Sequence, residues 1–245
     1  MSNPTLEFSE ERKQRIHDNG MNSALFSAAK DFNIASNRAQ YSYNFSWMGR
    51  PIIQYPQDMI AMQEIIWEIK PDLIIETGIA HGGSLIYYAS LLELIGKGEV
   101  LGIDIDIREH NRREIESHPM FKRIQMIQGS SISSEVIEQV KKQVKGKKAV
   151  LVSLDSNHTH EHVLNELNLY SSFVTPASYI IAFDTIVEDL PEGYFSQKRP
   201  WGVSNNPKTA VNEFLKTNKN FEIDSTIDNK LLISVAPGGY LKRMK

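Results

Sequence analysis

Short apolar runs alternate with stretches of helical periodicity through the middle of the chain. The runs at 72–76, 99–104, 123–128, 148–154 and 178–183 have strand length. Between them, apolar positions recur at helical spacing over 83–95, 107–117, 133–144 and 159–173. Strands alternating with helices of this length predict βαβ units and a mostly parallel sheet with helices on both faces, a Rossmann-like α/β fold. Right-handed crossovers would bring the carboxyl ends of these strands to one edge, where such sheets bind ligands. The flanks read differently. Residues 5–35 predict one or two polar amphipathic helices, so that 1–45 is expected as a helical arm and 46–245 as the main domain. The stretch 42–55 is aromatic-rich and irregular. Pro56-Gln57-Asp58 then opens a helix whose Met59, Met62, Ile66 and Ile69 form a core-facing stripe. Beyond a helix near 207–217, the runs 220–224 and 230–235 flank Asp228-Asn229 and predict a C-terminal antiparallel hairpin.

Each predicted strand ends in a chemically useful residue. The first leads into Leu73-Ile74-Ile75-Glu76-Thr77-Gly78-Ile79-Ala80-His81-Gly82-Gly83-Ser84, an acid followed by a glycine turn and two glycines that open a helix. This arrangement presents a nucleotide-like ligand to backbone N–H groups and a helix N-terminus. Its spacing is not the G-x-G-x-x-G of dinucleotide sites, which weighs against an NAD-dependent oxidoreductase and toward S-adenosylmethionine. The second strand ends in Asp104, placed to accept ribose hydroxyls. The third ends in Gln128-Gly129-Ser130-Ser131, suited to an adenine edge. Each has a plainer use: Glu76 as a helix cap, Asp104 as a partner for Arg108, Gly129-Ser130 as a turn. Their common position at one sheet edge favours the ligand reading.

Asp155 and Asp184 close the fourth and fifth strands, and two carboxylates there suit a hard cation such as Mg²⁺. The alternative is that Asp155 caps the helix beginning near His160. His158, His160 and His162 crowd beside Asp155 without a third partner at zinc-ligand spacing. His160 and His162 are expected as solvated helix residues. His158, three positions past Asp155, is placed to act as general base.

Composition narrows the classes. The chain has 245 residues, a net charge of −3 and no cysteine, so disulfides, thiolate zinc sites and a cysteine nucleophile are excluded. No basic field points to nucleic acid. No apolar run approaches the ~20 residues of a membrane span, and no signal peptide is evident, so the cytoplasm is the expected compartment. The loop from Glu188 to Asn206, with Tyr194, Phe195, Lys198, Arg199 and Trp201, suits either a sugar carrying an anion or a contact in the expected homo-oligomer.

Together these residues resemble the class I S-adenosylmethionine-dependent methyltransferases, and more narrowly the cephalosporin hydroxylase / rhamnosyl O-methyltransferase family. The matching text includes Trp47-Met48-Gly49, Lys70 to Gly78, Gly82-Gly83-Ser84, Gly102 to Arg108, His110-Asn111-Arg112, Leu154 to His158 and Pro237 to Arg243, spread over 45–245. The resemblance implies an O-methyltransferase acting on a sugar, glycolipid, polysaccharide or natural product. A non-catalytic cofactor-binding partner of another enzyme is the alternative. By position, Glu76 and the loop Gly78 to Ser84 (Gly78, Gly82, Gly83, Ser84) would hold the methionine end of the cofactor, Asp104 its ribose, and Ser130 and Ser131 its adenine. Asp155 would serve both cofactor and metal, Asp184 the metal, and His158 the base. The family pattern has an acid where this chain has Phe183, and related enzymes have an amide where it has Thr185. Glu188 or Asp189 is expected to supply the missing ligand.

Overall fold

The computed structural model describes residues 3–194 and 199–245. Two helices, α1 (Pro4–Gly20) and α2 (Ser23–Arg38), come first, each capped by an asparagine side chain, Asn3 and Asn22. A small antiparallel ribbon follows, β1 (Phe45–Trp47) and β2 (Arg50–Ile52), and then α3 (Pro56–Ile69), with proline at its first position. The alternating region is β3 (Leu73–Thr77), α4 (Gly83–Ile95), β4 (Glu99–Asp104), α5 (Glu109–Glu116), β5 (Ile124–Gln128), α6 (Ser134–Val144), β6 (Val150–Leu154), α7 (His160–Tyr170) and β7 (Tyr179–Ala182). It closes with α8 (Pro207–Thr217), β8 (Phe221–Ile223), α9 (Ser225–Leu231) and β9 (Tyr240–Arg243).

The seven-stranded sheet runs β5-β4-β3-β6-β7-β9-β8, parallel from β5 to β7, with β9 antiparallel to both β7 and β8. Successive side chains of a strand face opposite ways, and the two cores divide accordingly. Ile74 and Leu151 pack with α3 and α4 on one face, whereas Leu73, Ile75, Val150 and Val152 pack with α6, α7 and α8 on the other. The α3 stripe behaves as expected: Met62 and Ile66 are core, with Met59 and Ile69 packed at its edge.

The C-terminal pair departs from the sequence reading. Residues 220–224 do contain a strand, but its antiparallel partner is Tyr240–Arg243 rather than 230–235. The latter run is used differently: Leu231 ends α9, and Ser234 and Val235 are held by the buried carboxylate of Asp58.

The chain builds β3, β4 and β5 outward, then returns to place β6 on the other side of β3. That reversal makes the gap between β3 and β6 the switch point of the sheet, where a crevice opens beyond the strand ends. Among the described residues, no helix is long and apolar enough to cross a membrane.

Candidate active site

Thr77 is paired with Ile103 on one side and Leu154 on the other, so the loops after β3, β4 and β6 leave the sheet at one level. Asp155 N–H donates to the Thr77 carbonyl at 2.9 Å, and Gly78 N–H donates to Ile103 at 2.8 Å. The glycine loop is thereby tied to both neighbours. Gly78 has φ +89°, and a Cβ on Gly83 would stand 2.1 Å from the carbonyl oxygen of Pro51. Both positions require glycine: the first for its left-handed backbone, the second for the close passage of the β1–β2 ribbon.

A cavity of about 880 Å³ opens above these strand ends. Of the expected site residues, Gly78, Gly83, Ser84, Asp155, His158 and Asp184 line it. Glu76 lies just behind, 1% exposed, with its Oε2 accepting from Ser84 Oγ at 2.7 Å. Burial raises its pKa to about 8, with the Asp104 charge adding to the effect. Asp155 is pushed well above the usual carboxylate range by burial, then by the charges of Asp184, Glu76 and Glu166. Among the described residues no Lys or Arg pairs with Glu76, Asp155, Glu166 or Asp184.

Asp104 is engaged with the loop itself. Its Oδ2 accepts from Ile79 N–H at 2.8 Å and Ala80 N–H at 3.4 Å, while Oδ1 accepts from Asp106 N–H at 2.9 Å. A carboxylate has about four acceptor positions, so little of this one is left for a ribose. Arg108 instead stands 3.9 Å from Asp106. Ser130 and Ser131 lie apart from the cavity lining. Ser131 is buried, its Oγ 3.1 Å from His162 Nε2 and its carbonyl accepting from the Tyr170 hydroxyl.

Asp155 does not cap α7. The cap is Thr159, held by the side chain of Asn157, and Asp155 accepts instead from Gln54 Nε2 at 3.3 Å. One oxygen from each of Asp155 and Asp184 and one ring nitrogen of His158 all lie within 4.8 Å of one another. His158 Nε2 is 3.3 Å from Asp184 Oδ2, and its ring meets Trp201 edge-on at 4.9 Å. Asp184 adopts a left-handed φ of +56°, which aspartate tolerates better than most residues.

Neither loop acid joins this group. Glu188 accepts from Ser204 N–H at 2.8 Å and from Asn206, and Asp189 pairs with Lys208 at 2.6 Å. Phe183 is buried against the ring of Tyr240, and Thr185 Oγ1 donates to the Pro237 carbonyl at 2.9 Å. The expectation of solvated helix histidines also fails. His160 is bound to Thr209 at 2.8 Å and faces Glu213 at 3.2 Å, and His162 is ringed by Ser131, Ser156 and Glu166. Thr209, Glu213 and Ser131 come from distant segments, out of reach of local periodicity, whereas Glu166 stands one helical turn from His162.

Comparison with known proteins places this chain in a family. The family model for rhamnosyl O-methyltransferase/CmcI matches residues 39–244. The chain belongs to that family. A rhamnosyl O-methyltransferase of Mycobacterium leprae is 29% identical over 150 residues, 60% of this chain and 62% of that protein, so the match spans less than two thirds of the relative. The rhamnosyl O-methyltransferase of Mycobacterium bovis (strain BCG / Pasteur 1173P2) is 29% identical over 208 residues, 81% of this chain and 78% of that protein. The Mg-SAM form of CmcI superposes with a TM-score of 0.59 at 20% identity, covering 83% of this chain and 78% of that one. That likeness carries the class I methyltransferase fold.

Sequence reasoning missed several residues that line or brace this cavity. Asn37, Arg38 and Tyr43, from the expected arm, line the cavity together with Gln54. Arg50 donates to the His81 carbonyl through Nε (3.0 Å) and Nη2 (2.7 Å) and to Asn111 Oδ1 at 3.1 Å. Asn111 in turn donates to the Ala80 carbonyl at 2.9 Å. The sequence signal was that Asn111 lies within the motif His110-Asn111-Arg112 and that Arg50 directly follows Trp47-Met48-Gly49. Of the aromatic loop, Tyr194, Arg199 and Trp201 line the cavity, while Phe195 and Lys198 lie outside the described residues.

Proposed function

We propose that this chain transfers the methyl group of S-adenosylmethionine to a hydroxyl of a sugar-bearing acceptor, whether a free sugar, glycolipid, polysaccharide or natural product. The observation that carries this reading is the group of carboxylates beside the switch point, the buried Glu76 and Glu166 with the half-buried Asp155 and Asp184, none of which pairs with a Lys or Arg among the described residues. Acids drawn away from water without a basic side chain paired to them favour a ligand that brings positive charge. S-adenosylmethionine carries a sulfonium and an ammonium. The pyrophosphate of NAD would add negative charge to the same pocket. Gln54 Oε1, buried without a hydrogen-bond partner on the cavity wall, offers a further acceptor to such a ligand.

In this reading Glu76, Ser84 and the loop from Gly78 through Gly82 and Gly83 hold the methionine end. Asp104 fixes that loop and contributes its remaining acceptor capacity to the ribose. Asp155 and Asp184 fit a divalent cation such as Mg²⁺, because they present oxygens to one point without a competing Lys or Arg. When bound, that cation would lower the pKa of an acceptor hydroxyl. Methyl transfer breaks the sulfur–methyl bond, forms the oxygen–methyl bond and releases the hydroxyl proton, which a carboxylate oxygen of Asp155 or Asp184 left free by the cation can accept and pass to water. The names of the mycobacterial relatives support a sugar acceptor, as does the indole of Trp201 at the cavity wall.

Calorimetry with S-adenosylmethionine, S-adenosylhomocysteine, NAD and NADP tests the donor. Binding of the first two only is expected, weakened in Asp104→Ala by ~10-fold or more as loop contacts are lost. Binding of a nicotinamide cofactor instead would overturn the reading. With an acceptor such as a rhamnoside, transfer should stop in EDTA and return with added divalent cation.

A further inference from the structure

Resting on the reading that Asp155 and Asp184 hold a divalent cation, we propose that His158 is its third protein ligand, through Nε2, and that the site takes Mn²⁺ in preference to Mg²⁺. The inventory of donors leads there. Phe183 contributes no oxygen, and the hydroxyl of Thr185 is spent on Pro237. Glu188 and Asp189 are bound to Ser204, Asn206 and Lys208. Gln54 turns its nitrogen, not its oxygen, toward Asp155. Among the described His, Cys, Asp and Glu residues, His158 is the one that clusters with Asp155 and Asp184.

Its placement suits a ligand. Adjacent ligands on an octahedral cation with bonds of about 2.1 Å stand ~3 Å apart, and opposite ones ~4.2 Å. The 3.3 Å from Nε2 to Asp184 Oδ2 is close to the spacing of adjacent ligands, and a ring nitrogen of His158 and one oxygen each of Asp155 and Asp184 gather within 4.8 Å of one another. The ring is held in place by Trp201, whose own face carries the Arg199 guanidinium at 4.9 Å. A general base presents its free nitrogen to the acceptor, whereas this nitrogen is turned into a pair of carboxylates. Once coordinated, Nε2 has no lone pair with which to take a proton. An imidazole suits first-row transition ions, while Mg²⁺ favours oxygen donors, so the mixed set shifts selectivity toward Mn²⁺.

Pulsed EPR of the full chain with Mn²⁺ and S-adenosylhomocysteine tests this directly. The wild type is expected to show nitrogen modulation from a bound imidazole and to bind Mn²⁺ more tightly than Mg²⁺ in competition. His158→Ala should lose the modulation and bind Mn²⁺ about tenfold or more weakly. His158→Asp should keep Mn²⁺ without nitrogen coupling and narrow the difference between the two ions. Wild-type Mn²⁺ without nitrogen coupling would overturn the proposal. So would a His158→Ala variant that binds Mn²⁺ normally while methyl transfer falls, since that identifies His158 as the base. Failure of the wild type to bind either ion, with S-adenosylhomocysteine still bound by calorimetry, would overturn the proposal together with the cation assignment, leaving the methyl donor intact.

Discussion

A Cβ on Gly78 would stand 2.0 Å from the carbonyl oxygen of Asp155, so the glycine loop and the carboxylate cluster meet at one backbone contact. Gly78 also has φ +89°, a conformation that costs a side-chain-bearing residue on the order of 1–3 kcal/mol. Gly78→Ala must therefore displace the loop or the start of the segment carrying Asp155. The expected outcome is a lower melting temperature together with weakened binding of both S-adenosylhomocysteine and cation, read by thermal melts with and without each ligand. Loss of stability with ligand affinities intact would separate the two halves of the site.

Glu76 gives the site a pH signature. Its pKa, raised to about 8 by burial, leaves it mostly protonated near neutrality until a cationic ligand arrives. The ammonium of the proposed methyl donor favours the ionised form, so binding expels a proton. Affinity should rise with pH up to about 8, by at most about tenfold per unit, and level off above it. Calorimetry in buffers of different ionisation enthalpy will register the released proton. Glu76→Gln should bind more weakly at pH 8, with a shallower profile and less proton release, the remainder coming from Asp155.

The parts of this fold that were legible in sequence are those set by local pattern. The run 99–104 is β4 residue for residue, and the strand ends at Glu76, Asp155 and Asp184 stand at one edge because βαβ connectivity places them there. What was illegible depends on partners far along the chain. The run 230–235 looks like a strand, yet Asp58 takes up the Ser234 hydroxyl and the Val235 amide, and Tyr240–Arg243 pairs with β8 in its place. His160 and His162 look solvated by helical spacing, but α8 and the loop after β5 supply Thr209 and Ser131 to bind them. Residues 37–43 looked like part of an arm because nothing in their own polarity says that they border a cavity.

Arg50 tests how far the loop depends on that surrounding frame. Its guanidinium makes two contacts to the His81 carbonyl and one to Asn111, which itself holds Ala80, a residue at φ +45°. Lysine cannot reproduce this fork. Hydrogen bonds from a charged group are worth about 1.5–3 kcal/mol, so Arg50→Ala and Arg50→Lys should raise the KM for the methyl donor by ~10-fold or more. The turnover number at saturating donor should change far less. Equal losses in kcat and kcat/KM would instead place Arg50 in the chemical step.

Asp58 carries the last prediction. It sits in the first turn of α3, 1% exposed, and accepts from Ser234 Oγ at 2.6 Å, Val235 N–H at 2.9 Å and the Tyr240 hydroxyl at 2.8 Å. These bonds favour the carboxylate, but burial outweighs them and raises the pKa to about 6. In the unfolded chain it is about 3.9. The folded state therefore holds this proton more tightly, and the stability gained from it is complete below pH ~4 and lost as pH rises through about 6. At 1.36 kcal/mol per unit, the loss is ~3 kcal/mol. Carboxylates held below their usual range, such as Asp72, work in the opposite sense, so the total profile does not isolate the effect. A difference does. Asp58→Asn removes the ionisation and keeps one carbonyl oxygen for the Ser234 and Tyr240 hydroxyls; the contact of its amide nitrogen with the Val235 N–H is a pH-independent cost that cancels when two pH values are compared. The stability advantage of the wild type over Asp58→Asn, measured by denaturant unfolding, should therefore shrink by ~3 kcal/mol between pH 3 and 7. A gap that stays constant across that range would mean the carboxylate ionises in the core as readily as in water, with its three donors fully offsetting its burial.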